Sequence, residues 1–415
     1  MKTGILFRLF YRELRNQKKR MTLTILALVW GTFSIVILLA FGAGLQIQMA
    51  KANKGLGEGI VIVYGGQTSK PFQGLGKGRR IFLVESDVEL IRQRIPAIDL
   101  ISPESERGSN TVTYGRKTVT QNVIGVYPAF EDMRTYYPDK GSRFLNPLDE
   151  ENKRRVIFLG DKAKEKIFGS EEAVGKTILV NNIPFLVIGV MQKKLQNSMY
   201  NGPDEDKAAI PFSTYMTIFG DKYLDRLIYR PRDIGDSERI KDEVYRIVAG
   251  KYKFDPDDRQ ALRMWDTIED GRLFRKIFGG IQIFMGIMGA LTLMVAGVGV
   301  ANIMYVSARR RTREIGIKMA LGARKRYVLL QFVSEALMIV FTGGAIGTIL
   351  SLAAVQAMTA LDFKGGAADI LAHPVISLTN ILTTALLLGA IGFLAGYFPA
   401  RRAADLNPVE ALRYE

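Results

Sequence analysis

Residues 277–326 read "IFGGIQIFMGIMGALTLMVAGVGVANIMYVSARRRTREIGIKMALGARKR". The first part, 277–308, has no charged side chain and exceeds the ~20 apolar residues that cross a bilayer. The second part holds Arg309, Arg310, Arg311, Arg313, Lys318, Arg324, Lys325 and Arg326 against Glu314 alone. An uncharged span running into a short basic segment is a membrane helix followed by a cytoplasmic loop, because Lys and Arg near span ends set orientation. Three further windows, 21–50, 336–361 and 374–400, are equally free of charge. The whole chain is 48% hydrophobic and 24% charged, near the globular average, so it is segregation of charge rather than composition that reveals the spans. The run from Met21 to Leu45 is too long for the apolar core of a signal peptide and reads as a retained anchor.

These windows predict a membrane protein with four transmembrane α-helices and a large α+β extracytoplasmic domain between helices 1 and 2. The order is a cytoplasmic segment 1–20, helix 1 with a stalk (21–50), the outer domain 51–276, helix 2 (277–308), a cytoplasmic coupling helix 309–326, helix 3 (327–358), helix 4 (378–400) and a cytoplasmic segment 401–415. Before the first span, Lys2, Arg8, Arg12, Arg15, Lys18, Lys19 and Arg20 face only Glu13. This segment and the 309–326 loop supply most of the net charge of +16. Topology and anionic lipid headgroups account for that excess, and no nucleic-acid-binding motif accompanies it. Windows one and two exceed the bilayer at ~1.5 Å per residue, which predicts helical stalks reaching outward.

The outer domain shows strand-like runs at 59–66, 111–127, 156–160 and 177–191, the last turning at Asn181–Asn182. Ser86 with Glu89 suggests a capping box, and Ile240, Val244, Ile247 and Val248 recur at helical spacing. Two subdomains are expected, one from 51–130 with 212–275 and another inserted over 131–211.

One stretch here imitates a phosphate loop. "FGSEEAVGKT" (168–177) ends in Gly-Lys-Thr, but Gly-x₄-Gly-Lys-Ser/Thr requires glycine at the position of Ser170. A helix precedes and a strand follows, the reverse of the order that aims helix amides at phosphate. The stretch also lies outside, where ATP is scarce. Gly169 reads as a helix stop and Gly175 as a turn into a hairpin. There is no cysteine and one histidine, His373, so thiolate metal sites, disulfides and His-dependent catalysis are unsupported. No cofactor or metal bound by this chain is expected, and no enzyme activity.

In the cytoplasmic loop, Ile315, Met319 and Leu321 sit among cations before Gly322, a short amphipathic helix suited to a membrane surface or to docking a partner. In the tail, Pro399 closes the fourth span and Asn407 caps a short helix opening with Pro408. "TREIGIKMALGARKRYVLLQFVSEALMI" (312–339) and "PARRAADLNPVEALRYE" (399–415) resemble the MacB/FtsX-like ABC transporter permeases, and "VIFLGDKAKEKIFGSEEAVGKTILVNNIPFLVIGVM" (156–191) resembles the MacB-type periplasmic core domain. The resemblance covers nearly the whole chain. It implies a multi-pass protein of the bacterial inner membrane with both termini cytoplasmic, a periplasmic 51–276 with a porter-like part, and a dimer of permeases paired with cytoplasmic ABC ATPases that hold ATP and Mg. A periplasmic adaptor and an outer-membrane channel are further implied partners. The motif residues Arg313, Glu314, Ile315, Gly316, Met319, Ala320, Leu321, Gly322 and Ala323 are the implied ATPase-coupling set. Pro399, Arg401, Ala403, Asn407, Pro408, Glu410, Ala411 and Leu412 form the implied C-terminal contact. Some twenty residues precede the first span, so the ATPase is expected on a separate chain, unlike MacB itself.

Inside the membrane, Glu335 stands out, with Gln331 and Ser334 nearby. It is read as the partner of an arginine or helix end, ahead of a transport role. Gly343 with Gly347, and Gly392 with Gly396, form Gly-x₃-Gly pairs that permit close helix packing, within the fold or in a dimer. The expected job is coupling ATP hydrolysis to motion of the outer domain for export across the envelope. Alternatives are an FtsX-like scaffold controlling a cell-wall hydrolase and a lipoprotein-extracting permease of the LolCDE type.

Overall fold

The structure is a computed structural model that describes residues 18–196, 199–360 and 373–405. It divides into two compact units, Met49–Phe274 and the residues on either side. The elements in chain order are α1 (Lys18–Leu56), β1 (Val61–Gly65), α2 (Glu85–Arg94), β2 (Ile98–Tyr114), β3 (Lys117–Val126), α3 (Phe130–Arg134), α4 (Pro147–Glu151), β4 (Val156–Leu159), α5 (Asp161–Phe168), β5 (Thr177–Val180), β6 (Ile183–Val190), β7 (Lys207–Pro211), α6 (Phe212–Phe219), β8 (Arg226–Pro231), α7 (Ser237–Tyr252), β9 (Leu262–Asp266), α8 (Thr267–Arg310), α9 (Thr312–Ala320), α10 (Lys325–Ala360) and α11 (Leu378–Ala404).

In the unit 49–274 one sheet runs β3-β7-β4-β6-β5-β2-β8-β1-β9. Its β2-β8-β1-β9 end is antiparallel throughout and, with α2 and α7, forms a ferredoxin-like βαββαβ layer. Strand alternation builds two cores from the same backbone. Val61, Val63, Leu227 and Tyr229 face the helices with Val88, Ile91, Ile240 and Val244. Ile60, Ile62 and Ile228 face the opposite way, onto Phe130, Tyr136, Phe144 and Phe158. The sheet runs unbroken through strands from both sides of residue 130. The β2–β3 hairpin is long, its register shifts between Arg107 and Asn110, its tip half pairs with β5 through Val112 and Thr113, and β3 pairs with β7 through Asn122–Val126. Val112 and Val123 therefore enter the core of the second part, with Ile178 and Phe185.

Two local readings differ in detail. The α2 cap is set by Asp87, whose Oδ2 accepts the Val84 N–H at 2.8 Å. The helix begins earlier than a Ser86–Glu89 box would allow, and Ser86 instead accepts a bond from Lys251. Asn181 and Asn182 take φ of 47° and 69°, as a two-residue hairpin turn demands. The false phosphate loop is a helix end followed by a strand: Gly169 has φ 64° and ψ −126°, open to glycine alone, and Lys176 pairs with Glu171.

A buried polar network ties the segment before β7 to the strands. Arg134 grips both oxygens of Asp204 at 2.8 Å, and Lys194 reaches Asp204 Oδ2 at 2.8 Å. The Tyr200 hydroxyl donates to Glu104 Oε2 at 2.6 Å. Arg226 bonds Glu104 at 3.2 Å and Glu106 at 3.0 Å. The Tyr200 ring lies 4.6 Å from both the Arg134 and the Arg226 guanidinium carbon. Charges out of water need opposite charges and hydrogen bonds of this kind.

The other unit contains four helices long and apolar enough to span a membrane: α1, α8, α10 and α11, of 39, 44, 36 and 27 residues. At ~1.5 Å per residue α1 and α8 measure roughly 58 and 66 Å, against ~30 Å of hydrocarbon. Close approach rests on missing side chains. A Cβ on Gly347 would lie 2.7 Å from Thr32 Cβ and from the Val29 carbonyl oxygen, and one on Gly343 2.7 Å from Leu28 Cβ, both on α1. A Cβ on Gly396 would lie 2.7 Å from Ala336 Cβ on α10, and Gly392 meets Leu337 and Val340. The two pairs thus serve packing within one chain. Gly347→Ala is expected to lower the melting temperature in detergent, by the ~1–3 kcal/mol of an overpacked core. Gly389→Ala, whose Cβ would meet only Phe341 at 3.7 Å, is expected to leave it unchanged.

Pro399 does not end the last span. It lies inside α11, which continues to Ala404. Proline removes one ladder donor, a loss that neighbouring helices make tolerable in membrane bundles, and here Pro399 is buried among them.

Candidate functional site

The chain breaks between α8 and α9 at Arg311, whose φ of −100° and ψ of 13° turn the backbone out of helix. The side chain turns inward. Its Nη1 lies 3.0 and 3.2 Å from the two oxygens of Glu335, and Gln331 Nε2 donates to Glu335 Oε1 at 3.2 Å. Arg311 and Glu335 are both buried. Gln331 and Glu335 are one helical turn apart on α10, so they share a face. Thr312 donates its hydroxyl to the Arg309 carbonyl at 2.8 Å. One turn on, Ile315 enters the apolar cluster of Met304, Phe332, Ala336, Ala400 and Ala403. An ion pair and an apolar plug thereby seat α9 against the other helices.

That seating sorts the predicted coupling residues. Ile315 and Gly316 are buried and Met319 and Ala323 half-buried, whereas Arg313, Glu314, Ala320, Leu321 and Gly322 face outward. Leu321 belongs to the outer face, contrary to a single stripe with Ile315 and Met319: it is 84% exposed, and Ile317 is 44% exposed beside it. The helix stops where glycine was expected. Gly322 has φ 93°, its N–H bonds the Met319 carbonyl at 3.0 Å, and the Ala323 N–H bonds the Lys318 carbonyl at 2.9 Å. This is a Schellman closure.

The end of α11 lies in the same unit. Lys325 Nζ is 2.9 Å from Asp405, and Arg401 Nε is 4.0 Å from it. Arg402 stacks over Tyr305, 5.7 Å from the ring centre. Tyr305, Phe398, Arg401, Arg402 and Asp405 line a cavity of about 560 Å³. Exposed pairs of this kind contribute little stability; their effect is to orient the helix end. Of the C-terminal contact residues, Asn407, Pro408, Glu410, Ala411 and Leu412 lie outside the described residues. Arg311 is the residue that sequence reading missed. It is one of three consecutive arginines, and only a buried Glu335 without an assigned partner hinted that one of them turns inward.

In the extracytoplasmic unit, Glu238, Asp266 and Glu269 converge. The Lys241 ammonium sits among them, at 2.5, 3.0 and 3.8 Å, and fills the place a cation would take.

Four membrane-spanning helices with an extracytoplasmic α+β domain between the first two define a multi-pass membrane protein. Residues 21–247 match the model of the MacB-like periplasmic core domain, and 286–408 match that of the FtsX-like permease C-terminal region. The chain belongs to the MacB/FtsX-like ABC transporter permease family. It is 29% identical over 410 residues to a protein named "Macrolide export ATP-binding/permease protein MacB" from Bdellovibrio bacteriovorus, covering 98% of this chain and 61% of that one. It is 31% identical over 411 residues to "Pyoverdine export ATP-binding/permease protein PvdT" from Pseudomonas syringae pv. tomato, covering 98% and 58%. The chain therefore spans about three fifths of the length of these relatives. Among solved structures it is similar to the periplasmic region of MacB from Actinobacillus actinomycetemcomitans, at 19% identity and a TM-score of 0.43, over 54% of this chain and 95% of that one.

Proposed function

We propose that this chain is the permease subunit of an ABC transporter. It couples ATP hydrolysis by a separate ATPase subunit, which holds ATP and Mg, to motion of the periplasmic domain for export across the envelope. The observation that carries this reading is the two-sided α9: Arg311 and Ile315 anchor it to the spans, while Ile317 and Leu321 present apolar surface among cations. Such a helix transmits a push from a docked partner to the bundle, because its inner contacts resist sliding independently. α9 and the chain's termini face the cytoplasm in this reading, as the basic flanks demand. α1 and α8 carry the displacement outward, since a continuous helix transmits axial motion along its length. Two copies of the chain, joined by a periplasmic adaptor and an outer-membrane channel, complete the assembly. Macrolide and pyoverdine name the cargo of relatives of similar identity, so export is proposed here without a particular cargo.

The test is coupling. Gly316→Arg places a long cation at a buried position of α9. It is expected to abolish stimulation of the partner ATPase, as is deletion of 309–323, with the circular dichroism of the periplasmic domain unchanged. Normal stimulation in both variants contradicts docking through α9.

A further inference from the structure

The periplasmic unit carries a second surface, built on the arm between β1 and α2. Residues 66–80 contain Lys70, Lys77, Arg79 and Arg80 and no carboxylate. The arm is held at both ends. Asp258 accepts the Ser69 N–H at 2.6 Å, the Ser69 hydroxyl at 2.7 Å and the Lys70 N–H at 3.1 Å. Arg79 donates to the carbonyls of Tyr252 and Lys253 at the end of α7, at 3.2 and 2.5 Å. Beside it opens a cleft of about 560 Å³ whose lining includes Gly65, Gly66, Arg80, Arg259 and Arg263, with Asp225 as its one carboxylate. Its floor is bare backbone, since a Cβ on Gly65 or Gly66 would strike the Ile81 or Gln260 carbonyl. Arg259 and Arg263 also line a second groove, of about 530 Å³, with Glu238, Lys241, Asp242, Tyr245 and Met264. Lys70 pairs with Asp255 and Arg259 with Asp242, while Lys77, Arg80 and Arg263 make no ion pair with a described residue.

Both grooves border β9, which is the last strand of the sheet. Gly66 N–H bonds the Ala261 carbonyl and Thr267 N–H the Ile60 carbonyl. Antiparallel ladders alternate every second residue, so Leu262, Met264 and Asp266 turn their backbone groups away from β1. The Leu262 carbonyl takes the Tyr245 hydroxyl, which leaves Met264 at the open edge. An unpaired edge is a template for a further strand.

We infer that β9 is a docking edge for an acidic, extended segment of another protein, which adds to the sheet beside Met264 and places carboxylates on Arg80, Arg259 and Arg263. Strand addition supplies affinity through the backbone and specificity through alternate side chains. Cations spread over an arm and two grooves suit a segment several residues long better than one small anion. This inference rests on the extracytoplasmic placement of the domain and not on coupling through α9, so the two fail separately.

The test uses the full chain in detergent and a fluorescein-labelled peptide of alternating valine and glutamate, read by anisotropy. Saturable binding that weakens as salt rises is expected, at least tenfold weaker in Arg263→Glu and in Arg80→Glu. Met264→Pro is expected to abolish binding while the sheet stays folded, because that N–H carries no ladder bond and edge positions accept proline; Met264→Ala, which loses the same packing on the core but keeps the N–H, is expected to bind. Equal binding of a valine–lysine peptide, full displacement by glutarate at matched carboxylate concentration, or unchanged binding by both charge-reversal variants overturns the inference.

Discussion

Glu335→Ala is expected to destabilise the helical unit by about 3–5 kcal/mol, the usual cost of removing one member of a buried ion pair. Arg311 loses this carboxylate, which lies 3.0 Å from its buried guanidinium and fixes the turn into α9 that seats Ile315 in the apolar cluster. The loss is measurable as a lower melting temperature in detergent and, where the protein stays folded, as lost stimulation of the partner ATPase. Glu335→Gln keeps the size of the side chain and is expected to cost less. The exchanged pair Arg311→Glu with Glu335→Arg is expected to recover part of both readouts, with a coupling energy in the double-mutant cycle that neither single variant explains. Additive effects would show that the two side chains do not act as a unit.

The second large effect is in the periplasmic unit. Asp204→Ala leaves Arg134, 1% exposed, without its bidentate partner, and is again expected to cost about 3–5 kcal/mol. The same network gives a pH signature. Burial raises the Asp204 pKa, but Arg134, Lys194 and Lys207 outweigh it and bring it down to about 2. A carboxylate depressed on folding contributes stability that is complete above its unfolded value, near 3.8, and is lost as pH falls towards 2. Lys194 runs the other way. Burial pushes its ammonium down to about 8, against the pull of Asp204. Its charged form is thus disfavoured in the folded chain, so stability rises between about pH 8 and 10.5 as the folded form sheds its proton. Thermal unfolding followed from pH 2 to 10.5 is expected to show both limbs, with Asp204→Asn flattening the acid one and Lys194→Met the alkaline one.

What the sequence disclosed and what it withheld divide along a physical line. The spans were legible because hydrocarbon tolerates no charge over 277–308, whatever the tertiary fold. The 177–191 hairpin was legible because Asn181–Asn182 supplies a local turn. Gly322 was legible as a stop for the same reason. Features that depend on distant partners were not. Nothing local distinguishes Arg311 from Arg309 and Arg310, because its direction is set by Glu335 on another helix. Arg134 and Asp204 lie 70 positions apart with Tyr200 between them, and no periodicity links them. Pro399 follows a related rule: a helix breaker in water is tolerated inside a helix where neighbouring helices hold the chain. A hairpin as long as β2–β3 serves more than one core, which the local pattern over 111–127 does not reveal.

The most direct measurement of coupling through α9 uses the absence of cysteine from this chain, which makes Leu321→Cys its sole thiol. In membranes holding the assembled complex, a thiol-to-amine crosslinker at that position should join the chain to an ATP-binding subunit. In spheroplasts the same thiol should resist a membrane-impermeant maleimide until the membrane is opened. Labelling from outside intact spheroplasts, with no crosslink to an ATPase, would place α9 on the wrong side of the membrane and contradict the proposed coupling.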